Sequence, residues 1–300
     1  MTIRTVLVLM AGVLLPIAAH AQSYPISGRQ KIVFISAGSQ QDENLSDISQ
    51  AAATARAWQI KAELAQLKTH EWAGEYYEGD GEGENISLLT APKAGFVFRW
   101  QGCLGLYGLN YGSVEATSGR LKLLFEHPNQ RGIGGFEPEL TPVVWGDRHY
   151  LIPPGEMHQF ASDVNGGLEP RKEIYGLYLL RRGDERKKVR GAPTIPAEYR
   201  GYLLAAPITA RVSSVGESRT EKQYECLSKG RVTPVILDVG SGKGVKVGME
   251  FYLYSPLKTY ATIKVTKVED GASEGEVFQC IEDAPPSTGW KFSTRLGGGK

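Results

Sequence analysis

Five carboxylates crowd one short stretch of the 300-residue chain: Glu75, Glu78, Asp80, Glu82 and Glu84 surround Gly79, Gly81 and Gly83. Paired carboxylates serve as acid and base in glycoside hydrolysis, and several together hold calcium through oxygen ligands. Both tasks need carboxylates fixed in place, which a glycine-rich tip does not provide. A solvated acidic turn is the preferred reading, with a weak cation site second. His70, His127, His149 and His158 are scattered, and no Gly-x-Ser-x-Gly elbow supplies a nucleophile beside them. Cys103 lies within residues 100–112, where four glycines interleave with Trp100, Tyr107, Asn110 and Tyr111. Those four side chains are the candidate ligand surface, an aromatic platform for a sugar or another planar molecule. The alternative is a folded loop covering one end of a barrel. A cysteine nucleophile there requires a histidine neighbour, so no catalytic residue is assigned.

Residues 235–244, Val-Ile-Leu-Asp-Val-Gly-Ser-Gly-Lys-Gly, fit the glycine-rich first motif of S-adenosylmethionine-dependent methyltransferases. Such a loop must open a helix and feed further βα units. Here it runs into Met249-Glu-Phe-Tyr-Leu-Tyr, another strand pattern, with 56 residues left after Gly244. A phosphate loop fails as well, because Lys243 is followed by Gly244 rather than by Ser or Thr. No cofactor is implied. No metal site is expected, since neither a CxxC nor paired histidines accompany the cysteines.

The elements that would position these residues are mostly strands. One long N-terminal helix is expected from the spacing of Leu45, Ile48, Ala52, Ala55, Ile60, Leu64 and Leu67, capped by Asp42 or Asn44. From Trp72 the period becomes two. Strands are predicted at 72–78, 85–90, 96–100, 113–116, 121–126, 143–145, 149–152 and 174–182, with a helical insertion at 154–164. Eight short strands with tight connections indicate an antiparallel up-and-down barrel over residues 72–182. A Gly- and Pro-containing basic linker, 183–201, reads as an exposed connection, and its Arg182-Gly183-Asp184 tripeptide as a charged turn. A second module over 202–285 shows strands at 208–215, 233–239, 249–253, 262–268 and 275–278, and 286–300 reads as a flexible tail. The fold class is therefore mainly β with one long helix.

Trp72-x-Gly-x-Tyr76 resembles the opening of lipocalin-like (calycin) barrels. That resemblance implies an early Trp packed beside an Arg of the last strand, here Arg181 or Arg182, and a cup for a small apolar molecule. The order Gly244-Val245, Gly248-Met249, 263–269 and 273–277 resembles the SH3-like β-barrel modules of bacterial envelope proteins, such as the C-terminal domain of the flagellar T-ring protein. It implies a structural or interaction module in which the turn buries Val245 and Met249.

Arg4, the apolar run 6–18 and Ala19-His20-Ala21 form the three parts of a signal peptide, with cleavage expected after Ala21. The run is too short for a membrane span, and no transmembrane segment is expected in the mature chain. Cleavage takes Arg4 away and leaves 33 basic against 33 acidic side chains, which does not imply nucleic-acid binding. The expected destination is the periplasm or the exterior. There Cys226 and Cys280, which bracket the second module, are favoured as a disulfide. Cys103 is then a buried thiol, with an intermolecular disulfide as the alternative. These readings converge on a non-enzymatic binding or scaffold protein whose partner is an envelope protein or a small ligand. The rivals are a lipocalin-like carrier and a carboxylate-dependent hydrolase.

Overall fold

A computed structural model of the chain describes residues 50–297 apart from 68, 80, 82–84, 104, 118, 130–135, 171–175, 222–229, 255–260 and 281–282. The signal peptide, the helix-capping candidates Asp42 and Asn44, most of the acidic turn, and Cys226 lie outside the described residues.

Helix α1 (Gln50–Leu64) has 15 residues and ends before the expected Leu67, while 45–49 lie outside the described residues. Its small Ala53 lets the backbone approach the sheet, and Ile60 fills the gap about two turns further along the same face. Both are buried against Ala91, Val97, Leu109 and Tyr111. Glu63 ends the helix and fastens it: its carboxylate accepts the N–H groups of Lys93 and Ala94 at 3.0 and 2.7 Å.

The partner of that helix is a barrel. Strands β1 (Gly74–Gly79), β2 (Asn85–Ala91), β3 (Gly95–Gly102), β4 (Gly105–Thr117), β5 (Arg120–Phe125), β6 (Glu139–Trp145), β7 (Arg148–Ile152) and β8 (Gly176–Arg181) pair antiparallel in chain order, and β8 returns to β1. The eight predicted strands thus form the predicted closed meander. Closure is tight at the β2–β3 turn, where Gly95 has φ +82° and an added Cβ would stand 2.0 Å from the Gly112 carbonyl oxygen. Alternation sends Tyr76, Leu88, Phe98, Leu121, Leu140 and Leu151 inward. Phe98 stacks on Phe136 at 4.4 Å, and Phe96 meets Phe125 edge-on at 5.0 Å. Tyr76, Leu88, Phe96, Phe98, Leu140 and Leu151 touch no water-accessible space on any side. The interior is a core, not a cup.

The opposite outer face, on β6–β8, is covered by the predicted insertion. After a 3-10 turn at Pro154–Glu156, helix α2 (Met157–Gly166) buries Met157 and Phe160 against Val143, Tyr150 and Tyr178. Gly167, left-handed at φ +78°, ends it.

The connection 183–201 is largely exposed along its length, yet it is fastened to the first barrel at several points. Thr194 N–H donates to Val144 O (2.7 Å), Trp145 Nε1 to Gly191 O (2.8 Å) and Arg148 Nε to Lys187 O (2.7 Å). The Asp184 carboxylate is almost wholly buried and accepts from the His149 backbone N–H, with His149 Nδ1 at 2.8 Å and Lys187 Nζ at 2.5 Å. Burial alone would raise its pKa, but those contacts outweigh burial and hold it below the usual range. The charged turn at Arg182-Gly183-Asp184 is therefore a closed clasp.

After the short helix α3 (Ala197–Arg200) come β9 (Thr209–Val215), β10 (Arg219–Glu221), β11 (Gly230–Leu237), β12 (Glu250–Leu253), β13 (Thr262–Val268), β14 (Ser273–Cys280) and β15 (Lys291–Ser293). The ring β9–β11–β14–β13–β12–β15 closes on β9, with β10 outside it on β11. Closure depends on β15, in the region expected to be a flexible tail. Phe292 is fully buried in this second core.

The two barrels share a junction. Asn165 of α2 donates to Tyr202 O and accepts from Leu204 N–H, at 2.8 and 2.9 Å. His158 lies against Tyr199 and Tyr202, with ring centroids 5.3 and 4.4 Å away.

Candidate functional site

The four residues expected to form a ligand surface lie on two faces of the β3–β4 pair. Trp100 and Tyr107 belong to the core inside the barrel, their rings edge to face at 5.7 Å. A register shift beside Trp100 brings both Tyr107 and Gly108 opposite it, so the bulge turns Tyr107 inward. Asn110 is buried, with its amide engaged by His127 O (3.1 Å) and Tyr111 N–H (2.9 Å). Tyr111 faces outward beneath α1. Of the glycines in 100–112, Gly112 serves close strand packing, since an added Cβ would stand 1.9 Å from the Leu124 carbonyl oxygen, whereas one on Gly105 would meet nothing within 4 Å. Cys103 is exposed at the β3–β4 turn, not buried as expected.

Trp72 and Arg181 are linked through Tyr76. Tyr76 OH donates to Trp72 O (3.0 Å), and Arg181 Nη2 donates to His70 O, Glu71 O and Tyr76 OH at 2.8, 2.9 and 3.0 Å. Burial pushes the Tyr76 hydroxyl up to about 12, with Arg181 pulling the other way. Arg182 instead points outward to Glu75 at 2.6 Å. This cluster closes one end of the barrel and leaves no reactive group open.

In the second barrel the glycine run bends through a 3-10 turn (Ser241–Lys243). Its Ser241 and Gly242 N–H groups are already bonded to Glu269 O and Asp270 O, at 2.8 and 3.0 Å. A Cβ on Gly240 would sit 2.1 Å from Glu269 O. These glycines exist to pack against the β13–β14 turn, and the loop offers no cradle for a cofactor. Gly244 and Gly248 take left-handed φ of +86° and +88°, and Val245 and Met249 between and after them are buried.

Two acidic side chains missed from sequence, Asp163 and Glu250, are buried at the junction. Gln159 Nε2 donates to both at 3.1 Å, Tyr178 OH donates to Asp163 at 2.7 Å, and Glu250 N–H reaches Ser162 Oγ at 3.3 Å. Burial, followed by the charges of Glu250 and Asp163, raises the pKa of neighbouring Tyr252. The pair is enclosed by protein groups and serves to register α2 on β12. Among the described residues, no group of three His, Cys, Asp or Glu side chains is placed to hold a metal.

The concave surface with convergent charge lies on the outer side of β9 and β15. It is an open groove of about 880 Å³ lined by Arg211, Asp238, Tyr254, Lys291 and Arg295, among others. That volume falls within the roughly 300–1,000 Å³ of small-ligand sites. Antiparallel pairing sets Lys291 directly opposite Arg211, and Arg295 follows β15 by two residues. Some cations elsewhere are matched, Arg56 with Glu126, Arg120 with Glu198, Arg148 with Glu169 and Arg219 with Glu276. Arg211, Lys291 and Arg295 have no ion-pair partner among the described residues. Asp238 accepts the Arg211 backbone N–H through Oδ1 at 2.6 Å. Tyr254 leaves 44% of its surface exposed in the same groove. Sequence reasoning missed this site because Arg211 and Lys291 are 80 positions apart and meet only through closure by β15.

The chain matches no protein-family model, and neither a curated protein nor a solved structure shows detectable similarity to it.

Proposed function

We propose that this is an exported, non-enzymatic binding protein of the bacterial cell envelope that holds an anionic partner on the outer groove of its second barrel. The observation that carries this reading is the convergence of Arg211, Lys291 and Arg295, unpaired, around one concave surface. Unpaired cations on a shared wall repel one another, and an anion relieves that repulsion. Export rests on the leader pattern of residues 1–21.

The calycin-like reading of the first barrel draws on the Trp72, Tyr76 and Arg181 cluster, and the SH3-like reading of the second on its Gly244–Met249 turn. The carrier reading loses its physical basis with the packed interior. The hydrolase reading rests on the acidic turn at 75–84, of which Asp80, Glu82 and Glu84 lie outside the described residues.

Retention of the mature chain on a dextran-sulfate matrix tests the proposal. Retention at low ionic strength, reversed by about 0.5 M salt as screening shortens, is the expected result. Flow-through at low ionic strength would overturn it.

A further inference from the structure

We infer that the groove takes an acidic polysaccharide, one whose sugar rings carry both carboxylates and free hydroxyls; this rests on the binding reading above. Three cations alone would suit any polyanion, but the groove contains more. Asp238 stands among them with Oδ1 committed to the Arg211 backbone N–H and Oδ2 facing no donor among the described residues. A carboxylate in a basic groove repels a ligand made only of anionic groups and rewards one that brings hydroxyl donors to the same place. Tyr254 adds a half-exposed ring on the same wall. An aromatic face stacks on the C–H face of a pyranose, whereas an acidic peptide gains little from it. Cation, hydroxyl acceptor and aromatic ring together match a uronic-acid chain better than they match an acidic peptide or a sulfated polymer.

The probe is oligogalacturonate, titrated against the mature chain beside poly-L-glutamate of matched charge and neutral dextran. Oligogalacturonate should bind about tenfold more tightly than polyglutamate, the difference expected of one charge-assisted hydrogen bond. D238N should abolish that preference while keeping polyanion binding, and Y254A should weaken oligogalacturonate alone. R211Q/K291Q/R295Q should lose both ligands, with an unchanged circular dichroism spectrum showing that it folds. Equal affinity for the two polyanions would overturn the polysaccharide inference and leave the binding reading standing. Binding of neither would overturn both. An undiminished preference in both D238N and Y254A would also overturn the inference.

Discussion

His158 shows how a residue without chemistry still reports on the molecule. Its ring is held between Tyr199 and Tyr202 at the junction, and burial, then the charge of Lys264, lowers its pKa. A lowered folded pKa means that the unfolded chain binds the proton more readily. Stability is therefore full above the unfolded value of about 6.5 and is lost as pH falls through the folded pKa. Thermal midpoints measured from pH 7.5 to 5 should fall more steeply for the wild type than for H158N, and parallel curves would refute the assignment. At this scale the sequence was readable only where residues are close along the chain. Trp72, Gly74 and Tyr76 could be placed on one strand start, but the choice of Arg181 over Arg182 depended on which face of β8 meets Tyr76. The buried Asp163 and Glu250 pair, 87 positions apart, left no local signal.

At the scale of elements, alternation located most strands because half-buried strands repeat with period two. It failed where that period is broken or too short. In β4, glycines interrupt the pattern and a bulge turns Tyr107 inward, so of a 13-residue strand only 113–116 read as strand and 105–112 as a platform or loop. In β15, three residues are too few to alternate, yet they join β12 to β9. Phe292 is the test of that closure. Phe292→Ala should cost about 3–5 kcal/mol in chemical denaturation, through an opened second barrel. A cost below about 1 kcal/mol would show that β15 is dispensable.

Across the whole molecule, both cores are packed and the Arg211, Lys291 and Arg295 cluster sits on an outer face, so binding is expected from the surface. Compartment bears on stability as well. Gly230 pairs with Cys280 across β11 and β14, and Cys226 lies only four residues before Gly230 in sequence, which brings a clamp within reach of the chain. Mass spectrometry of protein recovered from the periplasm should find Gln22 at the N-terminus and a Cys226–Cys280 linked peptide that disappears on reduction, with Cys103 alkylated in both states. An intact leader, or alkylation of all three cysteines without reductant, would contradict export with a clamp.

The central claim is that the β9–β15 groove, rather than charge in general, holds the anion. Equilibrium titration of fluorescent dextran sulfate onto three proteins addresses it: the wild type, R211Q/K291Q/R295Q, and R186Q/K188Q/R190Q, which removes as many exposed cations from the 183–201 connection. The account predicts affinity at least about tenfold weaker for the groove variant and close to wild type for the connection variant. Equal losses in the two variants would contradict it.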